Sequence, residues 1–451
     1  MTLPDVAIES ELPASLPPER PTALFLQGRA VGARSLDVVV DGVQRGTTAA
    51  RMPRTDLGGR CGWWAVVPVP GKRAGETIEL AAAVDDGMLP LASIPVAPSP
   101  YVKKRGPSPY GMPDGLIVVC MATYEPDAEL FARQIESLRA QTDTNWVCVI
   151  SDDGSGDESV AAMQAVLGDD ERFTFSRSPA RQVFYKNFER ALTLAPEGAP
   201  LVALADQDDV WYPEKLATLR AALGTAPLVY SDQRLVTRDG KVVRETMWVG
   251  RKPNHESMMS LLVAGGVTGA AMLIRREVAD LAVPFPETPG MDFHDHWIAL
   301  MALALGDIAY VDRPLYDYVQ HESAVFGGPG ERSPLDDQSR GMRWRAAYFG
   351  GYIQRAVFAE ALLARCGERM AEPKRRDLRR YLDAQRSWLL WGSLAARTLR
   401  PLFGRTETVG SEGDLAFGLL WRRVARFGRD TRCPDAWSFS QKRLRRWRWQ
   451  T

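Results

Sequence analysis

Three carboxylates crowd the end of an apolar run: Leu201-Val202-Ala203-Leu204-Ala205 leads directly into Asp206-Gln207-Asp208-Asp209, followed by Val210-Trp211. Carboxylates this close repel one another and resist desolvation, so they ionise together comfortably only with a cation or basic group among them. A hard divalent ion carrying a phosphorylated substrate suits such a set. Oxygen ligands favour Mg2+ or Mn2+, and Mg2+ is commonly held by one or two carboxylates plus substrate phosphates. The same residues would equally serve as an acidic cap on the helix that follows, because Asp and Pro-Glu sequences favour helix starts. Further on stand Met291-Asp292-Phe293-His294-Asp295-His296-Trp297 and Tyr318-Val319-Gln320-His321, which hold three of the four histidines. A carboxylate beside a metal-bound phosphate ester is suited to act as general base on an incoming hydroxyl, and a neutral imidazole can complete a metal shell.

The elements that would position these groups alternate. Leu116 to Met121, Trp146 to Ile150 and Leu201 to Ala205 are bare apolar strands, whereas Ala128 to Ala140 and Ser159 to Leu167 have helical spacing. Strands apolar on both faces, alternating with helices, predict an α/β domain built on a mostly parallel sheet. Ligands in such sheets bind beyond the carboxyl ends of the strands. Each predicted strand ends in polar residues there: Thr123-Tyr124-Glu125, Asp152-Asp153-Gly154-Ser155 and Asp206 to Asp209.

The rest of the 451-residue chain divides around this region. Residues 1–98 read as a β-sandwich, with short strands broken by Asp41-Gly42 and Asp86-Gly87 hairpin signals. A Pro- and Gly-rich linker spans 99–115, the α/β domain 116–330, and a basic helical region 331–451. From residue 340 onward there are 25 Lys and Arg against 10 Asp and Glu, while the preceding residues have 31 against 46, so a net charge of zero hides a basic module on an acidic body. Seven of the thirteen tryptophans fall in that module, and Lys442, Arg443, Arg445, Arg446 and Arg448 interleave with Trp447 and Trp449. Helices with Trp faces and Arg edges suit an anionic membrane surface, or an ordinary helical appendage with a solvated rim. Five cysteines without a C-x-x-C pair indicate neither a disulfide framework nor a zinc site, and fit a reducing cytoplasm. With no signal-like opening and no apolar run of 18 residues, the expectation is a soluble or peripheral protein on the inner face of the membrane.

Taken in order, Ala122-Thr123-Tyr124-Glu125, Ser151 to Ser155, Lys186-Asn187-Phe188-Glu189, Asp206 to Trp211, Tyr230-Ser231-Asp232, Val267-Thr268-Gly269, His294 to Trp297 and Tyr318 to His321 resemble the inverting family 2 glycosyltransferases of the GT-A fold. The resemblance covers roughly residues 116 to 327 and is strongest to the bacterial rhamnosyltransferase-like branch that builds cell-surface polysaccharide. The overall architecture is also similar to that of galactofuranosyltransferases. It implies that Thr123, Glu125 and Asp153 contact the donor nucleoside and that Lys186 reaches its diphosphate. Asp206 would support the nucleotide and, with Asp208 and His321, hold Mn2+ or Mg2+; Asp295 would be the catalytic base. Implied partners are a dTDP- or UDP-sugar donor, a lipid-linked or growing glycan acceptor and an anionic membrane surface, with self-association an open alternative and no nucleic acid. Two positions differ from the family pattern: His296 stands where an aromatic residue is usual, and Val319 where an Arg precedes the Gln-His pair.

Each piece also has a plainer reading. Asp152 to Ser155 would form a turn and helix cap, Asp295 a helix-entry carboxylate, Lys186 a solvated lysine, His294 and His296 buried neighbours, and Gly265-Gly266 a tight turn. Two other functions compete with sugar transfer: a glycan- or nucleotide-sugar-binding scaffold, and a sugar nucleotidyltransferase, for which no Gly-rich triphosphate loop is evident.

Overall fold

The structure is a computed structural model that describes residues 4–85, 87–98, 114–249, 252–290, 292–321, 340–399, 407–408, 411–428 and 430–433. The basic Trp-rich tail, most of the linker and the 330/331 boundary lie outside the described residues.

Eight strands form the N-terminal sandwich: β1 (Asp5–Ile8), β2 (Thr22–Val31), β3 (Asp37–Val40), β4 (Val43–Gln44), β5 (Thr47–Arg54), β6 (Gly59–Val69), β7 (Thr77–Val84) and β8 (Gly87–Pro95). They make two four-stranded sheets, β1-β2-β6-β5 and β4-β3-β7-β8. Side chains alternate across a strand, and β6 shows what that alternation achieves. Trp63, Ala65 and Val67 enter the sandwich core with Val38, Ile78 and Leu80, while Trp64 and Val66 on the opposite face join the core of the rest of the molecule. The Trp64 indole donates to the Tyr348 hydroxyl at 3.1 Å and packs on Phe349 and Trp421. The sandwich is thus apolar on an inner face and on one outer face.

The central sheet is built from β9 (Ile117–Thr123), β10 (Trp146–Asp152), β11 (Phe173–Arg177), β12 (Leu201–Ala205), β13 (Val210–Trp211), β14 (Leu228–Thr237), β15 (Val242–Arg244), β16 (Met272–Arg275) and β17 (Ala309–Gln320). Its order is β11-β10-β9-β12-β16-β14-β17-β13, with β15 paired to β14. Strands β11, β10, β9 and β12 are parallel, as their apolar runs predict. Beyond β12 the sheet becomes mixed: β16 runs antiparallel to both neighbours, β17 is parallel to β14, and β13 is antiparallel to β17. This mixing positions the site. Because β16 is reversed, its start, not its end, lies beside the carboxyl end of β12, so the turn before it reaches the same edge as Asp206.

Helices α1 (Ala128–Arg139), α2 (Asp157–Leu167), α3 (Val183–Leu194) and α4 (Lys215–Leu223) alternate with the strands, followed by α5 (Met258–Val263), α6 (Arg276–Ala282) and α7 (His294–Leu305). Asp127 caps α1, accepting from the amides of Glu129 and Leu130. Helix α7 is apolar almost all round and buried, as an interior helix must be. The apolar stretch from Leu261 to Ile274 spans several elements. It divides into the end of α5, a glycine-rich turn, one 3-10 turn at Gly269–Ala271 and β16.

The C-terminal region is helical, with α8 (Arg340–Ala347), a π turn at Tyr348–Ile353, α9 (Gln354–Cys366), α10 (Glu372–Asp383), α11 (Trp388–Arg397) and α12 (Ser411–Val424). Arg365 on α9 joins three parts of the molecule, donating to carbonyls of Pro21, Leu281, Ala282 and Pro284. All five cysteines are buried and none is in a disulfide. Among the described residues, no helix is long and apolar enough to cross a membrane.

Candidate active site

The carboxyl ends of β9, β10 and β12 form a network of backbone and side-chain hydrogen bonds. Thr123 donates its hydroxyl to Asp152 at 3.2 Å, and its carbonyl accepts from the amide of Asp153. Asp152 also accepts from the backbone of Gly154 and Ser155, holding the turn after β10. The two oxygens of Asp153 accept from the amides of Gln182 and Val183 at 2.6 and 2.8 Å. Asp153 therefore holds the entry to α3, where Val183 adopts a φ of 70°, a conformation β-branched residues avoid. Burial pushes the Asp153 carboxyl up. The Glu125 amide donates to the Ser155 hydroxyl, and its carboxylate accepts from Gly156 at 2.6 Å at the start of α2.

The third predicted strand end is tied to the first. Gln207 accepts from the Tyr124 amide at 2.8 Å and donates back to its carbonyl, so the acidic loop is docked on β9 by its one neutral member. Asp208 Oδ2 lies 2.9 Å from His321 Nε2, at the exit of β17. Asp206 is pushed up to about 7 by burial, with Asp208 and Asp295 adding repulsion and Lys215 opposing it. Asp209 is 0% exposed; one oxygen accepts from the Val319 amide at 3.4 Å and the other has no hydrogen-bond partner. The cluster therefore divides by role: Asp206 and Asp208 remain partly open to solvent, while Asp209 faces the interior.

Asp295 stands in the first turn of α7, where the helix dipole favours negative charge. Its Oδ1 accepts from the His296 amide at 2.7 Å, and the Gly269 amide also bonds to the carboxylate. Burial pushes it up to about 6 despite those donors. Its two neighbouring histidines have packing roles. His294 stacks on Phe188 with ring centroids 3.6 Å apart, and His296 Nε2 donates to the Leu261 carbonyl at 2.7 Å. Burial holds both near about 3, so both are neutral imidazoles. The glycines before β16 make room for them: a Cβ on Gly269 would lie 2.5 Å from His294 Nε2, and one on Gly265 would lie 3.3 Å from the His296 ring.

The Lys186 to Glu189 segment is also occupied by architecture. Lys186 pairs with Glu189 at 2.9 Å and Glu287 at 3.2 Å; burial opposes its charge, but these carboxylates raise it overall. Asn187 bonds the carbonyls of Thr123 and Ser151, joining the ends of β9 and β10.

A divalent ion fits what is present. Ligands on adjacent corners of an octahedral ion at 2.0 to 2.1 Å are about 3 Å apart, close to the Asp208–His321 spacing. No set of three or more ligand side chains is gathered for a metal among the described residues. A two-side-chain set, with Asp206 beside it, suits an ion that keeps water and substrate phosphates in its remaining positions.

Residues 118–281 match the glycosyl transferase family 2 model. The match runs from β9 to α6, with the sandwich before it and helices after it. Asp295 and His321 lie beyond the matched residues. Protein y4gI of Sinorhizobium fredii (strain NBRC 101917 / NGR234), itself described as uncharacterized, is 30% identical over 134 residues, covering 28% of this chain and only 14% of y4gI. Among solved structures, S. aureus TarS 1-349 in complex with UDP-GlcNAc aligns at 15% identity and TM-score 0.43, covering 72% of this chain and 92% of that one. The mannosyltransferase PcManGT from Pyrobaculum calidifontis, in complex with GDP-Man and Mn2+, aligns at 16% identity and TM-score 0.34, covering 73% and 91%. These structural likenesses are too distant to assign a sugar or a residue role.

Two groups escaped the sequence reading. Neither Gln207 nor Lys215 is among the candidate residues that the sequence singles out. Lys215 is 0% exposed, with its ammonium 3.5 Å from the Trp211 ring centre and 4.4 Å from that of Tyr316. A lysine four residues after an acidic cluster's Trp carries no local signal of burial.

Proposed function

We propose that the protein transfers a sugar, with inversion, from a nucleotide-sugar donor to a hydroxyl of a lipid-linked or growing cell-surface glycan. The observation that carries this reading is the convergence of Asp206, the Asp208–His321 pair and Asp295 at one sheet edge. Thr123, Glu125 and Asp153 form the nucleoside side of the site. A diphosphate contact by Lys186 would require phosphate oxygens to replace Glu189 and Glu287. Asp208 and His321, with Asp206 beside them, would hold Mn2+ or Mg2+, which when bound offsets charge on the leaving diphosphate.

In the reaction, Asp295 takes the proton of the acceptor hydroxyl. The acceptor oxygen bonds to the anomeric carbon as that carbon's bond to the diphosphate breaks, and the electron pair leaves with the nucleotide. Attack from the opposite face inverts the anomeric centre, and no covalent enzyme intermediate forms. Rhamnose from dTDP and galactofuranose from UDP are the preferred donors by resemblance.

The setting we infer is the cytoplasmic face of the cell membrane. Trp388, Leu389 and Phe427 are 61%, 81% and 71% exposed in the basic helical region, with Arg423 3.9 Å from the centre of the Trp388 ring. Aromatic groups beside arginines favour an anionic lipid interface. The sandwich would orient the acceptor or pair two copies.

Nucleotide release from dTDP-, UDP- and GDP-sugars, with and without Mn2+ and with an extracted lipid-linked acceptor, tests the reading. Release that depends on acceptor and metal and is lost in Asp295→Asn supports it. Tight donor binding without any transfer would favour a binding scaffold instead.

A further inference from the structure

Among the described residues Lys215 is the most deeply buried basic side chain near the site, and nothing in the transfer chemistry above uses it. Its ammonium is enclosed by Trp211 and Tyr316 and donates to the carbonyl of Ala270. Ala270 is the middle residue of the Gly269–Ala271 turn, and the amide of Gly269 bonds to the carboxylate of Asp295. Burial pulls the Lys215 amine well below the usual lysine range, and the charges of Asp209 and Asp206 oppose that pull. One side chain thus touches the donor-side acidic loop through space and the acceptor-side base through two hydrogen bonds.

We propose that Lys215 is a positioning residue that fixes the Gly269–Ala271 turn, and through it the carboxylate of Asp295, in register with the acidic loop. Three features support this. Burying an amine at zero exposure is costly, and the aromatic faces, the Ala270 carbonyl and the acidic loop offset only part of that cost, so this placement is held by specific contacts. Lys215 begins α4, directly after β13 and the acidic loop, so its backbone moves with the donor side. The turn has little freedom of its own: Met272 opens β16, and a side chain at Gly269 would collide with His294 Nε2. With the Lys215 contact in place, the turn is held from both sides.

A purely structural lysine would stabilise the domain without favouring one half of the site. A positioning lysine predicts a separation of effects. Lys215→Met keeps the stem and removes the donor. In this variant the amides of the segment from Gly265 to Arg275 should exchange with deuterium at least about tenfold faster, while those of β9 and β10 keep their protection. Binding of Mn2+ alone should remain within about threefold of wild type. On the wild type's preferred nucleotide sugar, kcat should fall about 10- to 100-fold with little change in KM, as expected when a reacting group is displaced by an ångström or so. Lys215→Gln, which restores a donor one bond shorter, should recover part of the loss. Gly269→Ala, which disturbs the turn from its other side, should lower kcat similarly, and the double variant should lose less than the sum of the two.

Unchanged exchange at Gly265 to Arg275, or kcat within twofold of wild type, would overturn the proposal. So would a parallel loss of exchange protection in every strand, which would make Lys215 a general stabiliser. The exchange measurement does not depend on turnover. If the wild type transfers no sugar but Lys215→Met loosens only this segment, the transferase reading fails while the linkage stands.

Discussion

Asp208 and His321 are 113 residues apart in sequence and 2.9 Å apart in the fold. One leaves the end of a parallel strand, and the other leaves a strand on the far side of the mixed half of the sheet. Their meeting depends on the whole sheet between them being correctly ordered, from β12 through β16 and β14 to β17.

If this pair holds a divalent ion, removing either partner should weaken the metal before it weakens the fold. Asp208→Asn and His321→Ala are each expected to lower Mn2+ affinity in the presence of UDP by about 10-fold or more, measured by the loss of the free-ion electron paramagnetic resonance signal. Their urea midpoints should stay close to wild type, because Asp208 is partly open to solvent.

Asp295 should show itself in pH dependence. A base held near about 6 is ionised above that pH, so kcat/KM for transfer should fall about tenfold per unit as pH drops below roughly 6. Asp295→Asn should reduce transfer by about 10²- to 10⁴-fold while leaving Mn2+ and UDP binding in place, as isothermal titration would read.

The same residue carries an opposite consequence for stability. Its carboxyl is raised in the fold from an unfolded value near about 3.9, so the native state binds this proton more tightly. The cost of ionising Asp295 is absent below about pH 4 and fully present above about pH 6. Asp295→Asn should therefore stabilise the protein at pH 8, by roughly 1 to 3 kcal/mol, and this gain should vanish near pH 4 in urea titrations.

Asp153 is expected to matter structurally as well as for the donor. Asp153→Ala leaves the amides of Gln182 and Val183 without their acceptor, at a cost of roughly 1 to 3 kcal/mol. The loss should be local, appearing as faster amide exchange at the start of α3. If nucleoside binding also weakens, Asp153→Asn should recover little, since the amide has only one acceptor oxygen.

Trp64 tests how the sandwich is attached. Trp64→Ala removes its contacts with Tyr348, Phe349 and Trp421 and should cost about 3 to 5 kcal/mol. Expressing residues 114–451 alone exposes the partner surface on α9 and α12, and should yield a protein that aggregates, detectable by light scattering.

The legible parts of this molecule are those where local pattern and tertiary environment agree. Strands β9, β10 and β12 are apolar on both faces because each is covered on both sides, so their runs are unambiguous. Strand β16 was hidden because it is four residues long and continues the apolar run of α5, where periodicity cannot mark the change of element. In the site, residue types and order brought out the carboxylates and His321, but not which oxygens were already engaged. Asp152 satisfies the local turn, as the plain reading of that sequence holds, but Asp153 holds the start of α3 some 30 residues further on, and the cap of α2 is Gly156. Lys215 was illegible because its environment comes from Trp211, Tyr316 and Ala270, and nothing in the lysine's own neighbourhood of sequence names the last two.

The doubly apolar face of β6 has a consequence for biosynthesis. Trp64 and its hydroxyl partner Tyr348 are separated by 284 residues, so on a ribosome adding about 5 to 20 residues per second the finished sandwich waits roughly 14 to 57 s for its cover to be made. During that interval a greasy sheet surface is presented to the cell by a domain that is otherwise complete. The nascent chain should therefore be a chaperone client at an intermediate length, after the sandwich has folded and before α9 has emerged.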